Sequence, residues 1–311
     1  MEPRRREEQA NGNFFMFEQQ FVNGIVVGSV YALFAFGFTI TFGVQRILNL
    51  AYGANFMWGA FIGLFVVSIG MPLWLAFPVA VIGGGLIGIL IDFVAFRPLR
   101  KRGASEFPAI VTSIGANLIC VGLAQQVSNT QVLRYPFGTF PLVFFEFADV
   151  RLSLMQITIL VSVIVILASL VFLLYRTQFG RQIRAVSQNS ATAELLGVNS
   201  ALVYVQTAFL AGGLAAASGV FIGIAFNSVH FLMGEPWLLK GFIVVVLGGL
   251  GSIYGAVLAG LLVGIVETLA TAFISAEVSE ILLFTTLFVI LLLRPAGLFG
   301  QVGSVLPVVR R

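Results

Sequence analysis

Two carboxylates, Asp92 and Glu267, stand inside long apolar runs, and any chemistry in this chain would begin with them. An ionisable group at membrane depth is costly and by default marks a solute, ion or proton site. A plainer role is available for each. Arg97 follows Asp92 by about one helical turn and can pair with it near the membrane boundary. Glu267 falls toward the end of its run, where an interfacial position explains it better than a proton relay. The single histidine, His230, lies in a loop, and the single cysteine, Cys120, lies in an apolar segment as a small buried hydrophobe. These residues assemble no Ser/His/Asp set, no Cys/His set and no metal cluster, so catalysis by this chain is not expected. The G-x-x-x-x-G-K-[ST] pattern is also absent, so the chain does not hydrolyse nucleotide itself.

Two polar or glycine-rich interruptions offer a different kind of chemistry. Gly248-Gly249-Leu250-Gly251-Ser252 breaks an apolar block, without the strand and lysine that a phosphate cradle requires. It reads as a helix break whose backbone groups face a cavity. Asn49, Tyr52, Gly53 and Asn55 form the corresponding break in the first half of the chain. Asn49, Tyr52, Gly53, Asn55, Gly248, Gly249, Gly251 and Ser252 are therefore the candidate contacts for a polar solute. A weak repeat links the two places. Tyr52-Gly53-Ala54 is followed by Gly59 and Gly63, and Tyr254-Gly255-Ala256 by Gly260 and Gly264. Interrupted segments at matching positions in two halves point to a transport path, although glycine-rich helices also resemble one another by chance.

A third feature is the polar stretch 176–200. It carries Arg176, Arg181 and Arg184, then a short helix over 191–196 with Ser190 as its N-cap, Glu194 favouring the helix dipole and Gly197 at its end. Leu195 and Leu196 on this helix can seat in a partner's groove. The same pattern also fits a helix lying on lipid, guided by Arg181 and Arg184.

The elements that must position these groups follow from composition. The chain has 311 residues, 59% hydrophobic and 10% charged, with mean hydropathy +1.03. A soluble domain carries roughly 25% charged residues. Too little polar surface exists to coat a soluble particle of this length, so the solvent is a bilayer. The 34 glycines let helices approach closely. The predicted fold is all-α, a polytopic helical membrane protein with about eight transmembrane helices, Gly-broken or re-entrant segments and a weak inverted internal repeat.

Spans are expected over 21–44, 73–96, 107–127, 154–175, 201–226, within 241–274 and over 281–293. Residues 56–70 are apolar but short of the roughly 20 residues that a spanning helix needs. The segment Met1-Glu2-Pro3-Arg4-Arg5-Arg6 looks like a signal-peptide n-region, but the apolar run after it is too long and lacks a small-residue cleavage site. Residues 1–16 are thus read as a cytoplasmic polar tail, 17–300 as the transmembrane domain and 301–311 as a second cytoplasmic tail. Placing the N-terminal tail, the loop 97–103, the stretch 176–200 and the C-terminal end from Arg294 onward in the cytoplasm accounts for all but Arg46, Arg134, Arg151 and Lys240 of the 17 basic residues. That arrangement requires 45–70 and 240–274 each to return the chain to the side it left.

A family resemblance adds to this reading. Gly180-Arg181-Gln182-Ile183-Arg184-Ala185-Val186 with Ala193-Glu194-Leu195-Leu196-Gly197 resembles the coupling-loop signature of ABC-importer permeases, and more narrowly of branched-chain amino acid permeases of the LivH type. Matching pieces are Asn23-Gly24, Tyr31-Ala32-Leu33, the run from Phe42 to Gly53, the run from Val246 to Ala256, and Arg294-Pro295-Ala296-Gly297-Leu298-Phe299-Gly300. The likeness covers roughly 18–300 in order. Two departures bear on the solute: Tyr52 and Ala54 stand where the family usually has His and Glu, and Tyr254 replaces a usual Pro. The resemblance implies that Gly180, Arg181, Arg184, Ala185, Ala193, Glu194, Leu195, Leu196 and Gly197 couple the chain to an ATPase. It also implies a heterodimer with a second permease subunit, two cytoplasmic ABC ATPase subunits that hold the ATP and Mg, and an extracytoplasmic substrate-binding protein. The implied setting is a bacterial inner membrane with both termini cytoplasmic. The implied cargo is a branched-chain or related hydrophobic amino acid. Urea or short amides are neighbouring possibilities, and an ATP-independent secondary transporter using Glu267 is the alternative from another class.

Overall fold

A computed structural model describes residues 2–299 apart from 104, 142, 148 and 149, so the expected tail 301–311 lies outside the described residues. Twelve α-helices and one π-helical turn are laid out among the described residues. In order they are α1 Glu2–Gln45, α2 Tyr52–Ser68, α3 Leu73–Ile91, a π turn Asp92–Phe96, α4 Arg97–Lys101 and α5 Glu106–Ser128. A two-stranded antiparallel hairpin follows, β1 Phe144–Phe147 and β2 Val150–Ser153. The chain continues with α6 Leu154–Arg176, α7 Gln178–Gln188, α8 Ser190–Leu195, α9 Ser200–Ala225, α10 Gly234–Gly248, α11 Ile253–Phe273 and α12 Ala276–Leu293. Among the described residues, seven helical stretches are long and apolar enough to cross a membrane. The expected all-α polytopic class holds, with the small hairpin as an addition.

Glycine packing sets the frame. Along α1 and α11, Gly24 faces Ile265, Gly28 faces Leu261 and Ala32 faces Gly260, so these helices run antiparallel with their backbones nearly touching. A Cβ on Gly264 would lie 2.2 Å from the Gly28 Cα. Between α2 and α9, Gly59 meets Ala216 and Gly63 meets Val220, an order that makes the pair parallel. Small residues are what permit such approach where lipid supplies no hydrophobic drive between helices. We expect Gly264→Ala to lower the thermal midpoint of the detergent-solubilised protein by an amount corresponding to about 1–3 kcal/mol. Gly43→Ala, with open space at its Cβ position, should leave that midpoint in place.

Three expectations about direction need correction. Helix α2 crosses the bundle rather than returning to the side it left. Its 17 residues span only about 25 Å. Both flanks are covered by other helices and most of its side chains are buried, so it does not need the length of a lipid-facing span. The start of the α1 span therefore lies at the end opposite 176–200: Phe17 packs on Phe273, and Gln19 donates to the backbone carbonyl of Arg151 at 3.0 Å. A cytoplasmic 1–16 tail on the same side as 176–200 is not what the helix directions give. The segment 240–274 does return the chain to its starting side, through α10 and α11. The repeated segments, α2 and α11, run the same way across the bundle, so the repeat is parallel and not inverted as expected.

Helix α10 is short because it starts inside the protein, with Gly234 against the backbone of Gly53. The preceding turn is held there by an isolated bridge between Leu133 and Val229. Helices α5 and α12 leave most of their apolar surface uncovered.

Candidate functional site

Three places gather the polar side chains. The first is the α7–α8 pair. Thr177 caps α7 by accepting from the Gly180 amide at 3.3 Å, and Asn189 caps α8 by accepting from the Thr192 amide at 3.1 Å. Ser190, the expected cap, is instead the first helical residue. Helix α8 ends as a Schellman motif. The Gly197 amide donates to the Glu194 carbonyl and the Val198 amide to the Ala193 carbonyl, each at 3.0 Å, with Gly197 at φ +85°. Glu194 thus sits in the last turn, where its charge opposes the helix dipole rather than favouring it.

Ahead of the helix expected over 191–196, residues 178–188 also fold as a helix, because Gly180, Ile183 and Val186 make one buried face. Gly180 has no room for a side chain; a Cβ would lie 2.0 Å from the Leu174 carbonyl oxygen. Arg184 donates to that same carbonyl and lies over the Tyr175 ring at 5.4 Å. Tyr175 in turn stacks on Tyr254, tying the pair to the start of α11. The nine expected coupling residues therefore divide. Gly180 and Ala193 are buried supports, Arg184 and Ala185 are half-buried, and Arg181, Glu194, Leu195, Leu196 and Gly197 face outward. Leu195 is 88% exposed and Leu196 78%. They form an adjacent, uncovered apolar pair on a capped helix end outside any apolar span.

The second place is a small internal pocket lined by Thr41, Gln45, Asn49, Tyr52, Asn55 and Asp92. Arg100 closes on Asp92 with two bonds of 2.8 Å, and Gln45 adds a third at 3.2 Å. The expected partner, Arg97, lies over Phe93 instead. The π turn between them delays the helix phase, so that Arg100 comes round to Asp92. Arg100 also lies over the Tyr204 ring at 4.5 Å.

Tyr52 is fully buried between Phe34 and Phe38 and donates to the Phe34 carbonyl at 3.1 Å. Asn49 caps the turn into α2 by accepting from the Ala51 amide. Gly53 is packed against Gly234, and the Asn55 side-chain oxygen is buried with no partner. In the other half, Gly249 packs on Gly297, Gly248 on Gly255, and Ser252 accepts from the Gly255 amide as the α11 cap. Gly249 and Gly251 take positive φ values of +95° and +88°. The two breaks are real. Neither lines the large cavity described next, and the structure does not bring them to one site.

That cavity, about 890 Å³, is the third place. It lies among α1, α6, α9, α10, α11 and the start of α12, which contributes Ala276 and Glu280, with Phe144 and Ser153 of the hairpin region also on its wall. Lys240 on α10 contacts Glu267 on α11 at 2.5 Å, and the Tyr31 hydroxyl donates to the other Glu267 oxygen at 2.6 Å. The Lys240 and Glu267 side chains keep 20% and 15% exposure, and both line the cavity. Trp237 packs against Tyr31 at 4.6 Å and stacks on Phe56 at 5.1 Å. His230 also borders the cavity, and burial pushes its imidazole below the usual range, favouring the neutral form at pH 7. Sequence reading had Glu267 at an interface and left Lys240 among the unassigned cations. The signal was there, since two opposite charges in neighbouring apolar helices need each other. The ion pair also leaves Glu267 poorly disposed to serve as a free ion site for a secondary transporter.

The model of the branched-chain amino acid transport system / permease component family matches residues 20–291. The chain belongs to this family. The permease is 31% identical over 299 residues to the high-affinity branched-chain amino acid transport system permease protein BraD of Pseudomonas aeruginosa, covering 92% of this chain and 97% of that one. It is 30% identical over 301 residues to the corresponding LivH of Escherichia coli K12, covering 93% and 97%. The probable branched-chain amino acid permease LivH of Methanocaldococcus jannaschii shares 27% over 292 residues, covering 89% and 90%. The family is a transport permease component, and its match runs through every helix from α1 to α12. The permease is thus a multi-pass membrane protein of the ABC transport type.

Proposed function

We propose that this permease is the transmembrane subunit of an ATP-driven importer for branched-chain amino acids. The observation that carries the reading is the α7–α8 pair: a buried, capped platform presenting Leu195 and Leu196 next to Glu194 and Arg181, outside the apolar spans. Such a surface fits a groove on a soluble partner, and in this family the partner is an ABC ATPase. ATP and Mg sit on two such cytoplasmic subunits, and none is held by this chain. A second permease subunit pairs with the uncovered helix faces to form a heterodimer, and an extracytoplasmic binding protein delivers the solute. In this reading the 176–200 end and the end of α12 face the cytoplasm. The hairpin 144–153 and the start of the α1 span face the opposite side.

Mechanically, closure of the ATPases on α8 would move a rigid unit. Gly180 and Arg184 anchor α7 to the last turn of α6, and Tyr175 links it to α11, which carries Glu267. A push on α8 therefore reaches the helices around the large cavity, as coupling between two states requires. Glu194→Lys and Gly197→Pro test this. Proline cannot adopt the φ of +85° found at Gly197, so the Schellman end is lost. Both variants should insert normally in the assembled transporter, and leucine uptake should fall at least about tenfold while ATP hydrolysis continues, an effect on the scale of a lost contact hot spot. Uptake unchanged in both would remove the coupling role.

A further inference from the structure

We infer that Lys240, Glu267 and Tyr31 form a binding station for the zwitterionic head of an amino acid, reached through the large cavity. The inference rests on the importer reading above and adds where the solute is recognised within this chain. The two charged side chains pair with each other, yet both keep a face on the cavity. A buried pair that served packing alone would be better closed over, because each exposed edge is an incompletely satisfied charge at membrane depth. An α-amino acid carries the complementary groups. Its ammonium can replace Lys240 on Glu267 while its carboxylate takes Lys240, so the exchange leaves the net charge of the site unchanged, with Glu280 as a further carboxylate on the cavity wall. Tyr31 holds the second Glu267 oxygen, so the carboxylate stays oriented while its other oxygen changes partner. Beside polar residues such as Thr268, Thr271 and His230, the cavity wall includes the aliphatic Val27, Val30 and Ile222, with Trp237 as a flat aromatic surface. They suit a branched apolar side chain.

This arrangement discriminates by charge. A solute with a net charge would leave one group of the pair unmatched at membrane depth, and a neutral amide would not compensate for parting Lys240 from Glu267. A zwitterion separates the pair without leaving either charge alone.

The test uses the complete transporter with its binding protein in proteoliposomes, supplied with radiolabelled L-leucine. Wild-type protein that takes up no leucine would refute the importer reading itself. Given wild-type uptake, two double variants address the station. Lys240→Met/Glu267→Gln removes both charges, and Lys240→Glu/Glu267→Lys exchanges them. A structural ion pair is rescued by exchange. A stereospecific binding station is not, since the solute would have to enter reversed in a chiral cavity. The expected result is at least a tenfold loss of uptake in both, with ATP hydrolysis retained. Wild-type uptake by either double variant overturns the inference. Should both double variants fail to assemble, Tyr31→Phe decides: uptake reduced severalfold is expected, and unchanged uptake overturns it.

Discussion

A permease carrying Leu195→Asp and Leu196→Asp should insert in the membrane, lose its ATPase subunits on co-purification and support no leucine uptake above background. The two leucines are almost fully exposed, so their replacement costs the isolated chain little. Their value lies in a partner's groove, where each buried leucine contributes about 1.5–3 kcal/mol. Replacing both with carboxylates removes that contribution and adds two charges to be desolvated. Together these lower the affinity by two orders of magnitude or more on the scale of about 1.4 kcal/mol per tenfold. The control is Ala193→Leu. Ala193 is buried against the bundle, so its enlargement should weaken the fold and not the docking surface selectively. ATPase subunits retained in full by the double aspartate variant would show that they dock elsewhere.

The second large effect is expected at Asp92. Its side chain is 1% exposed and its charge is answered by the paired bonds of Arg100. Arg100→Met leaves a buried carboxylate with only the Gln45 amide, and breaking a buried pair from one side costs about 3–5 kcal/mol. We expect this variant to be recovered from membranes at a small fraction of the wild-type amount, with a sharply lowered thermal midpoint in detergent. The double variant Asp92→Leu/Arg100→Met removes both charges and should regain most of that loss, because replacing a whole buried pair with apolar groups is often neutral. A single variant as stable as wild type would mean that Arg100 is not what compensates the burial of Asp92.

Both effects turn on how helices are rotated and stacked, and there the sequence goes only part of the way. Composition alone placed the chain in a bilayer, and Arg/Lys clusters, proline and glycine marked where the spans begin and end. The breaks at 49–55 and 248–252, the Gly197 stop and the family-like coupling signature were all legible, because each is a local matter of backbone conformation or capping. The roles of Ser190 and Glu194 are not legible in the same way, since Asn189 competes for the same cap with a longer reach and takes it.

Three things were decided only by the tertiary structure. Helix α2 crosses the bundle although it is too short by hydropathy, because protein and not lipid covers it. Asp92 meets Arg100 and not Arg97, because a π turn changes the helix phase. Lys240, Glu267 and Tyr31 converge from three helices separated by up to 236 positions in the chain. The reason is common to all three. In lipid the outer face of a helix is as apolar as its inner face, so hydrophobic periodicity does not report which side chains turn inward. Glycine contacts and buried polar pairs fix that rotation, and they exist only once the helices have come together.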